Sequence, residues 1–147
     1  LRSHADALSP TANIDPLAPA GIAYTSGTTG RPKGAVHSQH NMMVAAFMAQ
    51  RMARDTVTEV VRGMTSPMTI LNMMILGTIA TLARGDRLVC MDRTDARGVA
   101  DWIRDERITT TTLVPTIVQD LLTRPDISPD ELESLDWLVV GGAMVPE

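Results

Sequence analysis

Apolar positions recur along this chain in two alternating rhythms. Short β-branched or apolar runs read as strands at Gly21 to Thr25, Ala35 to His37, Glu59 to Thr65, Arg87 to Met91, Ile108 to Val114 and Trp137 to Val140. Between them, stripes at three- and four-residue spacing predict helices. The first begins near Asn41, with Met42, Ala45, Ala46, Ala49 and Met52 on one face and Ser38 or Asn41 as its cap. A second, from Ile70 to Ala83, has too few polar positions for a wet face, so it reads as buried, with Arg84-Gly85 as its stop. A third carries Ala96, Val99, Ala100 and Ile103, capped by Thr94, and a fourth opens on Pro115 and points Ile117, Val118, Leu121 and Leu122 inward. Strands alternating with helices in this way imply βαβ units. The expected fold class is α/β, a mostly parallel sheet flanked by helices.

Residues 1–20 hold three prolines and no sustained period, so they read as an irregular lead-in, with the ordered domain running over 21–147. The 147 residues suffice for one core, yet the chain opens on Leu1 and stops just after Gly141-Gly142-Ala143, so it reads as a piece of something larger, truncated at both ends. The formal charge of -4 and scattered cations offer no basic stripe to nucleic acid and no polybasic patch to a membrane. No run approaches the roughly 18 apolar residues of a membrane helix, and the start lacks the order of a signal peptide. The single cysteine, Cys90, sits in an apolar run, reads as core, and suits a reducing compartment, so a cytoplasmic location is expected.

The chemistry concentrates in Tyr24 to Gly34, YTSGTTGRPKG. Glycines let backbone N–H groups converge on an anion, Ser26, Thr28 and Thr29 add hydroxyl donors, Lys33 supplies a compact positive charge, and Pro32 limits the freedom of the loop beside it. Glycines alone would suggest only a flexible turn; the ordered hydroxyls and lysine point instead to a polyphosphate cradle. A Walker A loop is disfavoured, because Gly-Lys-Ser/Thr is required there and here Pro32 precedes Lys33 and Gly34 follows it.

YTSGTTGRPKG resembles the phosphate-loop signature of the adenylate-forming superfamily of acyl-CoA synthetases, luciferases and peptide-synthetase adenylation domains. GAVHSQHN, RITTTTLVPTIVQDLL and GGAMVPE resemble the segments that follow it there, so the likeness runs from about residue 15 to 147. The resemblance implies part of the large AMP-binding domain of a ligase that activates a carboxylic acid with ATP to an acyl-adenylate, releases pyrophosphate, and passes the acyl group to a thiol, commonly that of coenzyme A. It implies that Thr25, Ser26, Gly27, Thr28, Thr29, Gly30 and Lys33 hold the ATP phosphates, and that Gly141, Gly142 and Ala143 line the adenine side. Magnesium would come with ATP, since no His/Cys/Asp/Glu cluster shows ligand spacing.

Two departures qualify these expectations. Many members carry an aromatic-histidine pair where SPMTILNMM has Thr69 and Ile70, so the acid cannot be inferred by analogy; Met64, Met68, Met73 and Met74 could border an acyl pocket but read as core. His4, His37 and His40 read as surface or capping residues. The family's later motifs, including a C-terminal domain with a catalytic lysine, do not occur before Glu147, so the isolated chain is expected to be inactive and, with an open sheet edge, prone to aggregate. A non-catalytic nucleotide-binding or interaction module derived from the same family is the alternative.

Overall fold

A computed structural model describes residues 14–25, 30–52 and 59–142. The chain forms two compact units, one ending at Val44 and the other beginning at Ala45.

In the first unit, β1 (Pro19–Thr25) pairs antiparallel with β2 (Lys33–Ser38), joining Thr25 to Lys33, Tyr24 to Gly34 and Ile22 to Val36. The glycine-rich loop therefore closes a hairpin. These two strands stand apart from the parallel sheet, because strand polarity is set by pairing partners that no local pattern encodes. Gly34 is required by close approach: a Cβ there would lie 2.9 Å from Ile22 Cγ2. Helix α1 (Gln39–Met52) follows directly, and Ser38 Oγ accepts the Asn41 N–H at 3.1 Å, which settles its cap. His37 is local in role, its Nδ1 lying 2.7 Å from Asn41 Oδ1, and the His40 side chain is exposed while its backbone N–H donates to the Pro16 carbonyl.

The second unit is a four-stranded parallel sheet in the order β4-β3-β5-β6, formed by β3 (Val61–Met64), β4 (Arg87–Cys90), β5 (Thr110–Leu113) and β6 (Trp137–Val140). One face packs on α3 (Ala96–Glu106) and α4 (Pro115–Thr123), where Val61, Val89, Val99, Ile103, Ile108, Leu113 and Leu121 share a continuous core. Gly63 is small because Ile108 Cδ1 and Met91 Cε would lie 2.9 and 3.1 Å from a Cβ there.

Four local expectations are corrected. Asp95, not Thr94, caps α3, its Oδ1 accepting the Gly98 N–H at 3.0 Å. Leu122 is 76% exposed, because Leu121 takes the inward position of that turn. Cys90 is exposed: Val89 points to the core, and strand alternation turns its neighbour to the other face. The segment after β3 is a π-helix (Met73–Ile79) running into α2 (Ala80–Arg84), and only one side is buried: Ile75, Gly77, Ala80 and Thr81 face inward while Leu76 and Leu82 are exposed. Gly85 ends α2 at φ 74°.

A charged network locks α3 to the short turn Pro129–Leu132. Arg97 Nη2 donates to Glu131 Oε1 at 2.5 Å and to Asp101 Oδ1 at 2.7 Å, and Arg104 Nη1 lies 2.8 Å from Glu131 Oε1. The Ser128 N–H adds a bond to Glu131 Oε2 at 2.9 Å. The Arg97 bond, reinforced by that backbone donor, holds the Glu131 carboxyl at about 2, well below its ordinary 4.5, and raises the Arg97 guanidinium in turn.

Candidate functional site

Of the ten residues expected at the nucleotide site, Thr25, Gly30 and Lys33 are described in the first unit and Gly141 and Gly142 in the second; Ser26, Gly27, Thr28, Thr29 and Ala143 lie outside the described residues. The hairpin brings Thr25 and Lys33 opposite each other, with Thr25 Oγ1 donating to the Lys33 carbonyl at 3.5 Å. Both side chains are exposed, and among the described residues no carboxylate pairs with Lys33. Gly30 has φ 77° with no other atom within 4 Å of a Cβ position, so the left-handed backbone, and not crowding, calls for glycine. From Pro16 to Arg54 the sequence contains no acidic residue, leaving the Arg31 and Lys33 charges without a neighbouring anion in sequence. These are properties an anion-binding loop needs.

Gly141 and Gly142 follow β6 at the carboxyl edge of the parallel sheet. The Gly141 N–H donates to the Leu113 carbonyl at 3.1 Å, and Gly142, at φ 87°, passes Val114 with 3.6 Å between that side chain and a would-be Cβ. The pair forms a turn free of side chains at the edge where open α/β sheets receive ligands.

The face of this sheet opposite α3 and α4 borders a cavity of about 350 Å³ within the second unit. Its wall is mostly apolar: Met48 from α1, Met64 from β3, Met73 and Leu76 from the π-helix, and Trp137 and Val139 from β6. Gly77 lets the π-helix approach, with Met64 Sδ 2.9 Å from its Cβ position. Met64 is buried, as its core reading required, and with Met73 also borders the cavity, whereas Met68 is exposed. The cavity's polar wall residues Arg62, Asn72 and Thr112 escaped sequence reasoning, although a charged residue inside the apolar run Val60–Met64 was a visible signal. Among the described residues no group of three His, Cys, Asp or Glu side chains could hold a metal ion, so none is assigned to magnesium. No helix among them is long and apolar enough to cross a membrane.

The chain belongs to the AMP-binding enzyme family, whose model matches residues 2–147. It is 32% identical over 151 aligned residues to the indoleacetate–CoA ligase of Aromatoleum aromaticum, covering 100% of this chain and 29% of that protein. To the long-chain-fatty-acid–CoA ligase of Thermus thermophilus it is 32% identical, over 86% of this chain and 24% of that protein. Among solved structures, the malonyl-CoA ligase complex with methylmalonyl-CoA and AMP superposes with a TM-score of 0.75 at 30% identity, over 93% of this chain and 30% of that one. The chain therefore spans less than a third of the length of these relatives.

Proposed function

We propose that residues 21–147 are part of the adenylation domain of an AMP-forming acid–thiol ligase, which joins a carboxylic acid to a thiol, that of coenzyme A, through an acyl-adenylate. The observation that carries this reading is the hairpin that sets Lys33 opposite Thr25 across the glycine-rich loop, in a segment devoid of acids. ATP supplies the activating adenylyl group, the carboxylate attacking the α-phosphorus as the bond to pyrophosphate breaks, and brings magnesium with it. Lys33 neutralises charge on the polyphosphate, while the hydroxyls of Thr25, Ser26, Thr28 and Thr29 and the backbone of Gly27 and Gly30 donate to its oxygens. The same groups stabilise the departing pyrophosphate. Gly141, Gly142 and Ala143 are small enough to let the adenine approach the backbone, and the apolar cavity holds the body of the acid. ATP and coenzyme A are the substrates of a cytoplasmic enzyme, where we place the protein.

Lys33→Ala should weaken ATP binding roughly tenfold or more, with Lys33→Arg intermediate, because a hydrogen bond to a charged group contributes about 1.5–3 kcal/mol. Titration calorimetry with ATP reads this directly. Unchanged affinity in Lys33→Ala would overturn the phosphate-loop assignment. Acid-dependent ATP–pyrophosphate exchange by the full-length protein carrying this chain separates a ligase from a module that only binds nucleotide.

A further inference from the structure

On the cavity face of the sheet, side chains stand in two rows. Register pairs Arg62 with Thr110 and Thr110 with Trp137, giving an inner row; Met64, Thr112 and Val139 form the next row toward the carboxyl edge. The outer row is largely apolar. The inner row holds two polar groups without partners: Arg62 Nε and Thr110 Oγ1 are both buried and make no hydrogen bond among the described residues. A buried donor left unpaired costs about 1–3 kcal/mol, more when charged.

Arg84 Nε lies 2.7 Å from Asp86 Oδ2, and Asp86 is also the carboxylate that acts on Arg62. Burial lowers the proton affinity of the Arg62 guanidinium, Asp86 opposing and Arg84 adding to the fall. A bound acceptor would relieve the orphaned N–H.

Position along the strands sets the ligand's shape. From Trp137 in the inner row to Gly141 at the carboxyl edge is four residues, about 13 Å of extended strand. A ligand with one end at that edge and its body against Met64, Met73 and Val139 brings its far end to Arg62.

We infer that the cavity selects carboxylic acids carrying a second, distal acceptor, a carboxylate or a carbonyl, which takes the Nε–H of the cavity-lining Arg62. This rests on the cavity being the acid site of the proposed ligase. Arg62 would be a specificity-determining residue, with no part in the chemistry at the sheet's edge.

The test compares decanoate with decanedioate by calorimetry on the full chain without nucleotide. A purely apolar cavity should reject the dianion, because burying an unpaired charge is costly. Decanedioate is expected to bind roughly tenfold tighter or more than decanoate, Arg62→Met to erase the preference, and Arg62→Lys, which keeps the charge without the Nε–H, to retain part of it. Equal affinity for the two acids, a preference that survives Arg62→Met, or no binding of either acid would overturn the inference. ATP titrations of the same samples keep the two readings apart. ATP binding lost with the acid preference intact defeats the phosphate loop alone; the reverse defeats the Arg62 assignment alone.

Discussion

The hairpin β1–β2 and the four-stranded sheet divide labour in opposite ways. No residue of β1 or β2 is fully buried, and Ile22, Tyr24 and Val36 are each more than half exposed. In the sheet unit Val99, Ala100, Ile103, Ile108 and Thr111 are wholly inaccessible to solvent. The hairpin carries the residues whose chemistry is most specific and the least packing of its own; the sheet supplies the packing. Binding sites are commonly drawn from the least self-supporting part of a fold. Substitutions in the two regions should therefore read out on different scales, stability for one and ligand affinity for the other.

The most severe break should come from the core. Ile103→Ala removes a side chain with no solvent exposure and should cost about 2–5 kcal/mol, checked by urea unfolding; a loss no larger than that of a surface change would mean the α3 interface does not hold the unit together. Gly85→Ala probes backbone alone, since no atom lies within 4 Å of the position a Cβ would take at φ 74°. It should cost about 1 kcal/mol. The ion network sharpens the contrast through pH. Glu131, with its folded value at about 2 against an ordinary 4.5, contributes stability that is fully present above about pH 4.5 and is lost as pH falls toward 2. Thermal melts of the wild type should fall across that window, and Glu131→Gln should flatten the fall; parallel curves would sink the assignment. Smallest of all should be the stability effect of Lys33→Ala, within about 0.5 kcal/mol as for other exposed positions, even as ATP affinity drops.

Much of this was legible in the sequence because it was local. The stripe Ala96, Val99, Ala100, Ile103 is buried as its spacing required, Pro115 opens α4, and Gly85 stops α2. A phosphate cradle could be expected at the glycine-rich loop because all its candidate groups lie within nine residues. The cavity could not: its wall comes from Met48, Arg62, Met73 and Trp137, which only pairing and parity bring to one face. The π-helix escaped for a similar reason. Its apolar run Met73–Ile79 has no polar residue but Thr78, so neither the i+4 nor the i+5 repeat was marked by composition.

The four threonines 109–112 carry a final consequence. Within that run every position is the same residue, so sliding β5 by one place would present neighbouring strands with an identical surface, and side-chain identity there gives no protection against misalignment. Alignment is instead enforced at its margins and by direct bonds to β3. The Thr109 hydroxyl accepts the Val61 N–H at 3.0 Å and lies 3.2 Å from its carbonyl, Thr111 Oγ1 donates to the Gly63 carbonyl at 3.0 Å, and Leu113 must face the core. A displacement of one residue would turn Leu113 toward the cavity and empty its place beneath α4. The threonine strand works as a keyway of uniform cut whose fit is decided by the pins at its ends, and a shift there would close the cavity without altering a single wall residue on β3 or β6.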